Sequence, residues 1–224
     1  MTYERILLDV ETQRDFFLPS GTMYSDKAPR AAENVYRLFD WARTNSIPVI
    51  STVLRVRPFD RGPMGEQPHC VDNTDGERKL PRTILPRRVN MGLLNSTDLP
   101  GNIFREYQQV IFEKRDTDIF AHARAERLLT ELHGSTFILC GAGVVQGLVQ
   151  AAVGLRSRGF GVIIANDALV DFDHPLASMA YLRMEAKGAI FAPTADIITP
   201  VPQKRRAFRT PATKTTQEHT AKRR

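Results

Sequence analysis

The residues able to do chemistry in this chain gather in three short segments. The first is Asp9-Val10-Glu11-Thr12-Gln13-Arg14-Asp15-Phe16-Phe17, with carboxylates at positions 9, 11 and 15. The second is Phe112-Glu113-Lys114-Arg115-Asp116-Thr117-Asp118-Ile119-Phe120, with Lys114 just past an apolar run. The third is Cys140-Gly141-Ala142-Gly143-Val144-Val145-Gln146-Gly147-Leu148-Val149-Gln150-Ala151-Ala152, a glycine-rich turn that opens a helix. A carboxylate can activate water, and a lysine can stabilise developing negative charge. Backbone N–H groups at the start of a helix can hold an oxyanion. Taken singly each feature has a plainer role. A lysine beyond a strand is usually solvated, and an Asp in a turn usually orders the turn.

The elements around these segments must bring them together. Residues 6–10, 47–53, 109–113, 136–140 and 161–165 read as short apolar strands, with a last short one at 189–191. Residues 28–45, 121–133, 144–158 and 175–187 have helical spacing, and Gly159 is placed to stop the third helix. Alternating strands and helices predict a parallel sheet covered on both faces, with ligands bound beyond the strands' carboxyl ends. That rule gathers Asp9 to Asp15, Lys114 to Asp118 and Gly141 to Gly147 around one mouth. Residues 55–107 are rich in Pro, Gly, Arg and Asp and read as a long functional loop, the seat of any specificity.

In order and spacing the three segments resemble those of the isochorismatase-like cysteine hydrolases, which include the nicotinamidases. The likeness runs over roughly residues 5–200. The loop Pro68-His69-Cys70-Val71-Asp72-Asn73-Thr74-Asp75-Gly76 and the stretch ending Lys187-Gly188-Ala189 add to it. The resemblance implies a three-layer α/β/α fold with a parallel sheet, and a site in which an Asp, a Lys and a nucleophilic Cys hydrolyse small amides. Lys114 matches the family lysine. The acid of the pattern Asp-x-Gln-x-Asp-Phe falls on Glu11, followed by Gln13, Asp15 and Phe16. Asp9 is the alternative acid, two residues too far from Asp15. The nucleophile's position falls on Gly147, which has no side chain. A catalytic group moved by about 1 Å can lose roughly a hundredfold in rate, so the longer Glu11 matters too. The family's substrate-binding positions fall on Asp15, Phe16, Phe120, Ala142 and Gly143, and for Asp15 a loop-ordering role is expected. Ala142-Gly143 lies where relatives have an unusual cis peptide bond. Cys140 is expected to be a small buried hydrophobe, and Cys70 to be structural.

Nicotinamidase-type relatives hold a divalent metal with an Asp-x-His pair after the second strand. The matching stretch here, Thr52-Val53-Leu54-Arg55-Val56-Arg57, has neither residue, and His69 alone would rarely hold a catalytic metal. No metal and no cofactor is expected, and Arg55 and Arg57 would favour an anion instead. Residues 201–224 carry eight Lys or Arg and one acid, a net +7. The first 200 residues carry 23 Lys or Arg against 24 acids, a net −1. The expected organisation is one domain over residues 1–200 and a basic, disordered tail over 201–224, able to hold nucleic acid only through charge. No apolar run approaches the roughly 20 residues of a membrane span. With two cysteines and no secretory signal, the expected setting is the cytoplasm. The resemblance also implies a dimer or tetramer. Two functional readings follow. One is a protein without thiol chemistry that binds a small molecule or a partner in the retained pocket. The other is a cysteine-independent hydrolase of an amide, carbamoyl or vinyl-ether substrate, using Glu11, Lys114 and water.

Overall fold

The computed structural model describes residues 3–60, 68–171 and 175–199, so the basic tail lies outside the described residues. In chain order the elements are β1 (Arg5–Val10), α1 (Arg14–Phe17), α2 (Ala28–Thr44), β2 (Val49–Leu54), β3 (Arg88–Asn90), α3 (Ile103–Glu106), β4 (Gln109–Lys114) and α4 (Ala123–Thr130). There follow β5 (Thr136–Ala142), α5 (Val149–Ser157), β6 (Gly161–Val170), α6 (Ala177–Ala186), β7 (Ile190–Ala192) and α7 (Thr194–Ile198). The strands form one seven-stranded sheet in the order β3-β4-β2-β1-β5-β6-β7, and every pair is parallel.

Side-chain alternation along the strands separates two cores. Ile6, Leu8 and Val10 of β1 pack on one face with Leu128 of α4, Leu155 of α5 and Met184 of α6. Leu7 faces the other way, towards Phe16 of α1, Val35, Leu38 and Phe39 of α2, and Ile197 of α7. The result is the three-layer α/β/α arrangement expected from the alternating pattern. The helical spacing read over 28–45 buries Val35, Leu38, Phe39 and Ala42 of α2, and α4 buries Ala125, Leu128 and Leu129, with Leu132 buried just past its end.

Several details differ from the sequence reading, among them β6, which runs on to Val170. The helix expected over 121–133 breaks at His122, which is extended (φ −89°, ψ 108°) between a 3₁₀ turn at Ile119–Ala121 and α4. The helix expected over 144–158 begins as a wide π-type turn at Val144–Leu148, with Gln146 far from helical geometry (φ −124°, ψ −106°). The long loop contains an edge strand, β3, whose exposed Arg88 and Asn90 flank Val89. Charged residues on so short an edge hide the strand pattern while blocking pairing with other chains.

The order of strands reverses at β1. Crossovers leave β1 towards β2 and β4 on one side and towards β5 and β6 on the other. The crevice beyond such a switch point is where open α/β sheets bind ligands. Gly141 holds β1 and β5 close there. It has φ 122°, and a Cβ on it would collide with the carbonyl oxygen of Val10. Gly141→Ala is therefore expected to lower stability by about 2–4 kcal/mol, from steric overlap and backbone strain together. Urea denaturation of the variant measures this.

Candidate functional site

Glu11 follows directly from β1 and turns through the left-handed region (φ 52°). For a residue with a long side chain that conformation costs about 1–2 kcal/mol. The turn is held by the Glu11 backbone N–H, which donates to the carbonyl and hydroxyl oxygens of Thr52, each at 3.3 Å. Lys114 ends β4. Its ammonium donates to Glu11 Oε1 at 2.5 Å, to the Asp116 carbonyl at 2.9 Å and to the Thr117 carbonyl at 2.8 Å. Glu11 is 0% and Lys114 4% exposed. All three ammonium protons are thus engaged, whereas Glu11 Oε2 is buried with no hydrogen-bond partner among the described residues.

The turn after β5 completes the centre. Gly143 is left-handed (φ 71°), and a Cβ placed there would stand 3.2 Å from Glu11 Oε2. Gly147 lies in the π-type turn, outside the positive-φ region, so a side chain there meets no backbone objection. The obstacle is spatial. A Cβ on Gly147 would stand 2.6 Å from Glu11 Oε1 and 3.2 Å from Val10 Cγ1. A flexible carboxylate could swing aside, but this one is fixed by Lys114. The methylene that Glu11 adds over an aspartate therefore goes with the space left open at Gly147.

Lys114, Glu11, Gly143 and Gly147 meet, as the sequence spacing suggested. Other candidates do different work. Asp15 accepts from Thr22 N at 3.3 Å and from Cys70 N at 2.5 Å, and its carboxylate fills the space in front of Gly76. These contacts tie Asp15 to the loop at Thr22, Cys70 and Gly76. The Gln13 side chain donates to Leu54 O and Glu77 O and accepts from Leu54 N, each at 2.8 Å, tying the first loop to β2. Phe16 is buried and packs edge-on against His69 with ring centres 5.3 Å apart. Phe120 packs beneath Gly154, with the Arg158 guanidinium 3.8 Å above its ring. Ala142 is buried at the end of β5, and its peptide bond to Gly143 is trans.

Sequence reasoning missed a second buried ion pair. Asp9, weighed as the alternative acid, accepts from Lys79 Nζ at 2.5 Å and from Ser51 Oγ at 2.8 Å. Lys79 also donates to Thr12 Oγ1 at 2.7 Å. Lys79 sits in the run Glu77-Arg78-Lys79, which reads as a solvated charge cluster. Only the isolated Gln13–Lys79 β-bridge carries it inward, so no local signal could have found it. Arg55, expected to attract an anion, is surrounded by Asp72 at 2.9 Å, Glu77 at 3.0 Å and Glu113 at 3.1 Å. Burial opposes ionisation of Asp72, but hydrogen bonds from Arg55 and Arg115 outweigh it and lower its pKa.

Neither cysteine has the surroundings of a nucleophile. Burial pushes the Cys140 thiol well above its ordinary pKa, and the Asp9 charge adds to this. Burial does the same for Cys70, reinforced by Glu11 and Asp15. A nucleophilic thiol needs the opposite shift. No group of three or more His, Cys, Asp and Glu side chains among the described residues could hold a metal ion. Residues 52–57 bring Arg55 in place of a ligand, and it engages Asp72, Glu77 and Glu113, so the residues present do not suit such a metal.

An isochorismatase domain model matches residues 5–196. The chain belongs to the isochorismatase family. Solved structures share the fold at low identity. The nicotinamidase of Bacillus subtilis is 18% identical, with a TM-score of 0.64 over 85% of this chain and 99% of its own. An isochorismatase-like hydrolase from Alkaliphilus metalliredigens is 16% identical, with a TM-score of 0.65 over 88% and 98%. The N-carbamoylsarcosine amidase of Thermoplasma acidophilum is 16% identical, with a TM-score of 0.63 over 86% and 97%. No match was found among curated proteins.

The buried pair makes a stability prediction. Lys114→Ala leaves Glu11 charged and unpaired in the interior, and is expected to cost about 3–5 kcal/mol. Replacing both partners, as in Glu11→Gln with Lys114→Met, should cost much less, and urea denaturation of the three proteins checks the order. A second prediction concerns space. Gly147→Cys alone is expected to destabilise by about 1–3 kcal/mol through overpacking. Adding Glu11→Asp should relieve this and give one alkylatable thiol in the folded protein, where Cys70 and Cys140 remain protected.

Proposed function

We propose that this isochorismatase-family protein does not carry out cysteine-dependent amide hydrolysis, and that it binds a small molecule or a partner at the retained mouth of the sheet. The observation that carries this reading is the filled space at Gly147, where the Glu11 carboxylate stands in the way of any side chain. The binding cleft would be the one of about 400 Å³ beside the carboxyl ends of β2 and β4, lined by Arg55, Val56, Asp60, Arg115, Thr117 and Gln150 among others. Its volume is within the range of small-molecule sites. Gln150 follows Gly147 by one helical turn, and its Oε1 is buried without a partner among the described residues, which favours a ligand that donates a hydrogen bond.

A second reading has its own observation. Glu11 Oε2 is a buried carboxylate oxygen without a partner among the described residues, beside Gly143. On this reading Glu11 is the general base and Lys114 stabilises developing charge. The protein would work as a cytoplasmic homo-oligomer in either case. Support for assembly is the exposed apolar run Leu176, Met179 and Leu182 along α6. Nucleic-acid binding through residues 201–224 would be secondary.

The test is an assay of the full chain against amides, carbamoyl compounds and vinyl ethers. Glu11→Gln is the control, because it preserves shape and keeps the two carbonyl partners of Lys114. No turnover above the control is expected. Turnover that disappears in Glu11→Gln would replace the binding reading with the water-based hydrolase.

A further inference from the structure

Away from the mouth, one face of the sheet borders a second cleft. On the side of α2, the residues of β2, β4 and β3 form the floor of a cleft of about 500 Å³. Val53 and Ile111 are its apolar floor, and Pro81 and Ile84 form an apolar wall. Val53 and Ile111 are buried beneath the cleft, and parallel sheets are normally covered on both faces, so the cleft above them is a place for an occupant.

The charges around this cleft are unevenly paired. Arg55 is matched by Asp72, Glu77 and Glu113. Lys79 is spent on Asp9. Arg14 and Arg78 share a single carboxylate oxygen, Asp75 Oδ1, at 2.5 and 3.5 Å. The two guanidiniums are therefore close neighbours with one acid between them. Arg14 Nε is buried and has no hydrogen-bond partner among the described residues. Arg88, on the edge strand, donates only to the Leu85 carbonyl at 3.1 Å and meets no carboxylate within ion-pair distance among them. The acids crowd around Arg55, while positive charge and unused N–H donors collect at Arg14, Arg78 and Arg88.

We propose that this cleft is a second binding site, separate from the Glu11–Lys114 centre, for a small molecule with a phosphoryl group at one end of an apolar body. Guanidinium forks bind phosphoryl oxygens through paired N–H donors. The apolar floor takes the rest of the molecule, and the volume suits a mononucleotide-sized ligand. The reading does not depend on whether the Glu11 centre is catalytic.

Titration calorimetry on the full chain tests it, with 5′-AMP and phenyl phosphate as probes and adenosine as the uncharged control. Saturable binding of the phosphates and none of adenosine is expected. Arg78→Ala with Arg88→Ala should weaken phosphate binding at least about tenfold, the loss of one or two charged hydrogen bonds. Both side chains lie at the surface, and circular dichroism confirms that the variant is folded. Arg88→Lys, which keeps the charge but loses the fork, should fall between. Three outcomes overturn the proposal: no binding of either phosphate, equal binding of adenosine, or unchanged affinity in the double variant. The last would assign the phosphate to the basic tail.

Discussion

The ion pair between Glu11 and Lys114 organises the centre of this protein. Two charges taken out of water are costly, and they are tolerated only when each finds strong partners. Lys114 has three, since the carbonyls of Asp116 and Thr117 complete its ammonium. The carbonyl contacts curl the chain after β4 back over its own end, and the same ammonium fixes the Glu11 carboxylate against Gly143 and Gly147. The left-handed turn at Glu11, the absence of a side chain at Gly147 and the shape of the β4 terminus are parts of one arrangement. All three hydrogen bonds of the Lys114 ammonium are made within the fold.

A second buried lysine performs a related task on the opposite face of the sheet. Lys79 enters from the long loop and meets Asp9, while Thr12 bonds to Thr83 and Gln109 bridges Ser51 and the Thr83 carbonyl. This polar cluster anchors residues 79–85 where a helix would otherwise be needed to cover β4. Asp15, fixed to Cys70 and packed on Gly76, secures the preceding stretch. A loop with few apolar residues is thus held mainly by hydrogen bonds and buried charge. Such fastening is directional, and it leaves a cleft beside Val53 and Ile111.

Most of the fold was legible in the sequence because apolar runs and helical stripes are local signals. The strands containing Leu7, Val110 and Ile138 and the stripe at Val35, Leu38 and Phe39 emerged where the periodicity put them. The meeting of Glu11, Lys114 and Gly147 was legible too, since the ends of parallel strands must share one edge. The rest depends on distant partners. Lys79 is buried because of Asp9, seventy positions away, and nothing in its own neighbourhood says so. The fixing of Arg55 by three acids requires β2, β4 and the loop to be assembled first. That Glu11 occupies the space before Gly147 is a fact of side-chain volume, which spacing alone does not report.

That shared volume also constrains history. A chain with both a cysteine at position 147 and a glutamate at position 11 would crowd its own centre, because the carboxylate is held where the new side chain must begin. If the ancestor carried the shorter acid and the thiol, the order of change matters. Loss of the thiol opens room into which a longer acid can grow, whereas lengthening the acid first passes through an overpacked intermediate. Once the glutamate has settled against its lysine, restoring the cysteine by a single substitution costs stability. The pair works as a ratchet, in which one permissive deletion of volume makes the return path longer than the path taken.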